Sequence, residues 1–152
     1  RLNKMNIILE KAYIILWIII PVILIFGLIN SEKTIDVNIY DTYYVVNTFH
    51  FAIFLSTYFT ILGLVYFGIN YCSLELNKKF TNIHVIGSIL SIAIIFILNF
   101  LYRTNLNQNV FEIINNEKFN NKVTLVIILF ICCFIISQIV FIFNIIQSFV
   151  KK

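Results

Sequence analysis

Charge is scarce in this chain of 152 residues. Asp, Glu, Lys and Arg make up 12% of it, against about 25% in an average soluble domain. Glycine (4) and proline (1) are rarer still, which excludes collagen-like, linker-like and disordered chains. The three cysteines, Cys72, Cys132 and Cys133, form no disulfide framework. With no CxxC or CxxCH they signal neither a zinc ribbon nor attachment of a c-type haem. Cys132 and Cys133 lie inside an apolar run and read as small buried hydrophobes. HExxH, a phosphate loop and a Ser–His–Asp set are absent, which argues against a hydrolase or nucleotide enzyme. The net charge of +4 comes from 11 basic residues scattered over segment ends. They form no stripe, so no nucleic-acid partner is expected. What is abundant is apolar: 61% of residues. A core built from about 150 residues cannot hide that much apolar surface, which leaves the membrane class. The joint excess of Ile, Asn, Phe, Tyr and Lys is what an AT-rich genome encodes, so part of the Ile and Asn count carries no structural meaning.

A membrane helix needs about 20 apolar residues without charge. Four stretches qualify: 12–29, 44–69, 83–102 and 123–150, none containing Asp, Glu, Lys or Arg. The expected fold is therefore an all-α membrane protein, a single membrane domain over 1–152 with four transmembrane helices in an antiparallel bundle. The first span follows Lys4 and Lys11 but lacks a small-x-small cleavage pattern, so it reads as a retained anchor rather than a signal peptide. Met5 reads as the start of translation. Pro21 sits mid-span, frees a backbone carbonyl and is expected to kink the helix. Seven basic residues (Arg1, Lys4, Lys11, Lys78, Lys79, Lys151, Lys152) fall on one side of the bilayer and four (Lys33, Arg103, Lys118, Lys122) on the other. The positive-inside rule then puts both termini on the cytoplasmic or matrix side of a bacterial or mitochondrial inner membrane. In the outward-facing third loop, 110–114 is expected to form a short interfacial helix.

Polar residues within the spans gather on faces. At 100° per residue, Asn47, His50 and Thr57 fall within about 80° on the second span. His84, Gly87, Ser88, Ser91 and Asn99 share a face of the third, and Gly87-xxx-Ser91 is a small-xxx-small pattern that permits close helix approach. Ser137 and Asn144 coincide on the fourth, with Gln147 nearby. Such faces serve as helix–helix contacts or line a cofactor or proton path, and sequence alone leaves both open. His50 lies about six residues into its expected span. Imidazole is a common axial ligand of membrane haem. His50 and His84 sit at opposite ends of consecutive spans, since the 19 residues from His50 to Ile69 already rise roughly 28 Å. They therefore cannot clamp one haem within a chain.

The stretch Asp36-Val37-Asn38-Ile39-Tyr40-Asp41-Thr42-Tyr43-Tyr44-Val45-Val46-Asn47-Thr48-Phe49-His50-Phe51 resembles the central motif of subunit I of the haem–copper oxidases. That family reads Asp-x4-Asp-Thr-Tyr-Tyr-Val-Val-x-His-Phe-His-Tyr here. Phe80-Thr81-Asn82-Ile83-His84 is similar to the start of the family's next-to-last helix, and 138–148 to its last. The whole chain resembles the last four of twelve helices. The resemblance implies the orientation that the charge count gives independently.

The departures bear on function. The two motif histidines of the family point about 200° apart and bind two haems. Thr48 stands where the high-spin haem ligand would be, and His50 keeps the position of a low-spin haem ligand. The three further histidines of the copper site belong to helices outside the resemblance, and this chain has two His in all. Tyr40 replaces a loop His that helps hold magnesium, leaving Asp41 as half a metal site. Asp36 matches an acid near the haem propionates. Asp41-Thr42-Tyr43-Tyr44 also suits a span start, capping it and anchoring it at the interface. Two readings follow. In the first, the chain is a non-catalytic accessory or interaction protein of a respiratory assembly, with no cofactor, contacting membrane lipid and other membrane subunits or copies of itself. In the second, it is a haem-binding electron-transfer piece of a split oxidase, with His50 as axial ligand.

Overall fold

A computed structural model of the chain describes residues 11–39, 42–103 and 110–150. Two compact units divide it at Glu75 and Leu76.

The first unit holds α1 (Ala12–Ile29), a two-stranded antiparallel ribbon of β1 (Thr34–Ile39) and β2 (Thr42–Asn47), and α2 (Thr48–Tyr71). Helix α1 continues through Pro21. Asn30 ends it, donating from its backbone N–H and its Nδ2 to the Phe26 carbonyl at 3.2 and 3.0 Å. The ribbon was not foreseen. The span expected from residue 44 becomes helical only at Thr48, because Tyr43-Tyr44-Val45-Val46 pairs with β1 instead. β-Branched and aromatic side chains suit a pleated strand, and β1 offers Ile35 and Val37 in register, opposite Val46 and Tyr44. Asn47 makes the change of structure. Its backbone is extended, and its side chain accepts from the Phe49 N–H at 2.8 Å, a helix N-cap. Helix α2 ends in a Schellman motif. Leu74 N–H bonds to Ile69 O at 3.1 Å and Ser73 N–H to Asn70 O at 3.1 Å. Ser73 takes the left-handed conformation, φ 55°, usually left to glycine.

Helices α1 and α2 meet over an apolar seam of Leu16, Ile23, Ala52, Leu55, Phe59 and Leu62, all buried. Gly27 and Gly63 let the backbones approach. A Cβ on Gly27 would collide with the Ala52 side chain, and one on Gly63 with the Trp17 indole. Trp17 also joins Tyr13 and Phe67 in a ring cluster with centroids 5.4–6.0 Å apart.

The second unit is a helical hairpin of α3 (Lys78–Asn99) and α4 (Val110–Val150). Helix α3 starts five residues before its expected span, because Asn77 caps it by accepting from the Lys79 N–H at 3.0 Å. The short interfacial helix expected at 110–114 and the expected fourth span form one helix of 41 residues, about 60 Å long at 1.5 Å per residue. No glycine or proline lies between Val110 and Val123 to interrupt it.

All four helices are long and apolar enough to cross a membrane. Their outward faces are apolar as well, with Phe54, Ile61, Leu125 and Ile139 all more than half exposed. The chain is an integral membrane protein, and its described residues hold four helices of membrane-spanning length.

Candidate functional site

The oxidase-like motif is split between two kinds of structure. Asp36 to Ile39 lies in β1 and Thr42 to Asn47 in β2. Asp36 is opposite Val45, Asn38 opposite Tyr43, and Ile39 opposite Thr42. Tyr40 and Asp41 lie outside the described residues. Tyr44, Val45 and Val46 are exposed. The motif then enters the first turn of α2.

Its last residues fasten that turn to the strand-entry loop after α1. Asn47 Nδ2 donates to the Ser31 carbonyl at 2.6 Å. Thr48 donates twice to the Lys33 carbonyl, from its backbone N–H at 3.0 Å and from Oγ1 at 2.8 Å. Thr48 is buried, 4% exposed. Phe49 is half-buried and lies against Gly27, its Cδ2 3.7 Å from where a Cβ there would stand. His50 is the third residue of α2 and exposed, its ring 6.4 Å from that of Phe49. It thus stands in the first helical turn, not six residues inside, because the helix begins at Thr48.

This arrangement tests what haem the motif residues could hold. Thr48 does not fit as a ligand: its hydroxyl proton is directed at a backbone carbonyl and the side chain is enclosed. His50 presents an exposed imidazole in the first turn of α2. Among the described residues no three His, Cys, Asp or Glu side chains gather into a metal site.

A second polar cluster occupies the interface of α3 and α4. His84, fully buried, shares a hydrogen bond of 3.1 Å between its Nε2 and Gln138 Oε1, and stacks on Phe141 at 4.4 Å with planes 19° apart. Gln138 Nε2 donates to Ser88 Oγ at 2.9 Å and Ser137 Oγ at 3.0 Å. The two serine hydroxyls are 2.9 Å apart. Because the Gln138 amide nitrogen serves the serines, its oxygen faces His84. Toward the start of α3, Asn144 accepts from the Asn77 N–H at 2.9 Å and donates to Thr81 Oγ1 at 3.0 Å. Gly87 brings the helices together, a Cβ there standing 3.2 Å from Ser137 Cβ. Ser91 is buried and Asn99 only half-buried, at the last turn of α3.

Gln138, Asn77 and Thr81 were not among the expected packing residues. Gln138 stands about 100° around α4 from Ser137, off the shared face, and its long side chain reaches back to it. The available signal was chemical rather than angular: a primary amide within a charge-free span requires partners. Cys132 and Cys133 correct another expectation. Both are exposed: at 100° per residue Cys132 points about 140° away from Ser137, and Cys133 lies at the edge of the face that runs through Val123, Ser137 and Phe141.

These features define a polytopic membrane protein whose helix pairs are pinned by polar contacts. Over 72 residues, 47% of its length, the chain is 35% identical to cytochrome c oxidase subunit 1 of Candida albicans. The match covers 14% of that protein's length, so the chain spans only a small part of the curated relative. No family model matches the chain, and no solved structure does. The chain is thus an integral membrane protein with a stretch similar to oxidase subunit I.

Proposed function

We propose that this chain is a non-catalytic accessory or interaction protein of a respiratory membrane assembly, related to the oxidase subunit that it matches over 72 residues. The observation that carries the reading is Thr48. At the position where the resembled motif has its high-spin haem ligand, this chain has a buried side chain bonded to the Lys33 carbonyl. The position serves to fasten α2. The 152 residues hold two histidines, and His84 bonds Gln138 and stacks on Phe141, so these residues do not by themselves assemble the copper ligands of the resembled family. The charge count supports an orientation with both termini on the cytoplasmic or matrix side.

One observation supports a second reading. His50 is exposed in the first turn of a membrane helix, and an imidazole there suits one axial position of a low-spin haem whose other ligand comes from a second chain. This would make the chain an electron-transfer piece of a split oxidase.

One preparation tests both. The tagged full chain is purified in mild detergent from haem-replete cells, and its spectrum is recorded oxidised and dithionite-reduced. Native gels then show which membrane complex it migrates with. The accessory reading expects no haem band and co-migration with respiratory subunits. A reduced-state haem band that His50→Ala abolishes overturns it in favour of the second reading. A colourless protein that migrates alone overturns both.

A further inference from the structure

At the end of the second unit where α3 stops, the chain concentrates positive charge. Arg103 is held there by its backbone: its N–H donates to Asn120 Oδ1 at 3.0 Å and its carbonyl accepts from Asn120 Nδ2 at 2.9 Å. Its guanidinium lies over the Phe119 ring, 4.0 Å from the centroid. Tyr102 and Thr124 share a hydrogen bond one turn further along α4. Asn120 thereby fixes the last residues after α3 against α4, and the arginine is placed rather than trailing.

Lys118 and Lys122 stand beside it. They are one turn apart on α4, so both project from the same side, and at 100° per residue that side adjoins the one bearing Phe119 and Arg103. All three cations are exposed. Two acids lie on the same stretch of α4. Glu117 projects about 100° away from Lys118, and Glu112 is ten residues from Lys122, about 15 Å further out along the helix. The charge nearest the apolar span is therefore positive.

Directly below the cations the helix becomes apolar. Val123 to Val150 carries no charge, and Leu125 and Leu129, at 67% and 58% exposure, continue the face of Lys118 and Lys122 into the hydrocarbon. Phe100 and Leu101, each 48% exposed, flank the arginine from the end of α3. Three cations at the water boundary above a lipid-facing apolar strip match one ligand in both charge and shape: a phospholipid with an anionic headgroup, its phosphate at the cations and an acyl chain along α4. We propose that Arg103, Lys118 and Lys122 form a binding site for one anionic phospholipid.

Each basic side chain near an anionic lipid surface is worth about a fivefold gain in binding, so three give a preference on the order of a hundredfold over a zwitterionic lipid. The test uses the full chain in mild detergent, with native mass spectrometry of one-lipid adducts in equimolar phosphatidylglycerol and phosphatidylcholine. The expected result is a strong excess of the phosphatidylglycerol adduct. The triple variant Arg103→Gln, Lys118→Gln, Lys122→Gln should reduce it to within a few-fold of the phosphatidylcholine adduct. The control Lys78→Gln, Lys79→Gln removes two cations at the start of α3 and should leave it unchanged. No preference in the unaltered chain overturns the proposal, as does a preference that survives the triple variant or is lost in the control. Far-UV circular dichroism of each variant shows that it remains folded. If the triple variant unfolds, the single Lys118→Gln and Lys122→Gln chains are read instead, each with about a fivefold loss expected and an unchanged ratio overturning the site.

Discussion

Replacing Gln138 by leucine isolates the energetic role of the α3–α4 seam. The amide makes one bond to His84, two to the serines and one to the Phe134 carbonyl, at 2.9–3.3 Å. The serines keep each other at 2.9 Å when it is gone, so the loss falls on His84, which is fully buried and then loses its bond to Gln138. A hydrogen bond between membrane helices is worth about 0.6 kcal/mol on average, whereas a buried polar group stripped of its partner costs about 1–3 kcal/mol. The second figure governs, because His84 is fully buried in the seam. The expected destabilisation is about 2 kcal/mol, or on the order of thirtyfold in the folded ratio. Adding His84→Leu removes the buried imidazole. The double variant should therefore be less destabilised than the two single variants summed, with a coupling of about 1–2 kcal/mol. Energy transfer between dyes at Lys79→Cys and Val150→Cys, the native cysteines replaced by alanine, reports separation of α3 from α4 during titration with SDS. A shift below about 0.3 kcal/mol for Gln138→Leu, or strict additivity in the double variant, refutes the reasoning.

Four further outcomes are expected. Gly27→Val should destabilise the α1–α2 pair by about 1–3 kcal/mol, because even a Cβ at that position collides with Ala52. Gly68→Ala, with open space around it, should be neutral or stabilising by up to about 1 kcal/mol, and thermal unfolding compares the two. Gly63→Ala should shift the fluorescence maximum of Trp17, the sole tryptophan, whose indole occupies the space of the missing Cβ. Asn47→Ala removes both the cap on Phe49 and the bond to Ser31. It should cost about 1–2 kcal/mol and speed amide exchange in the first turn of α2.

The four helices were legible because hydrophobic length is a strong signal in a chain with so few charges. What sequence could not show was where each helix starts. Residues 44–46 are apolar enough to belong to a span, and only the register with Thr34–Ile39, a pairing between separate segments, makes them a strand. The fourth span was legible as hydrocarbon from Val123, but Val110–Lys122 is polar, and a hydropathy boundary does not distinguish a helix leaving the membrane from a loop. At the candidate site, faces at 100° per residue drew attention to His84, Ser88, Ser137 and Asn144. They missed Gln138, whose reach rather than its angle brings it to the seam. Nor could spacing show that Thr48 is enclosed, since that follows from where the loop after α1 places Lys33.

Thr48 also bears on what holds this turn where the resembled motif carries a ligand. A helix start that depended on a metal–imidazole bond would be loosened by losing the imidazole. Here the turn is held by a cap on Phe49, a bond to Ser31 and two bonds to Lys33, all made by protein groups. Threonine contributes one of these where a larger imidazole would have to fit a site only 4% exposed. Thr48→His should therefore weaken the turn without creating a haem site: the ring overfills the enclosure, and the Lys33 carbonyl keeps only the backbone donor. A reduced-state spectrum of that variant showing a new high-spin haem would mean that the enclosure opens more easily than these contacts allow, and that the position still belongs to a cofactor pocket.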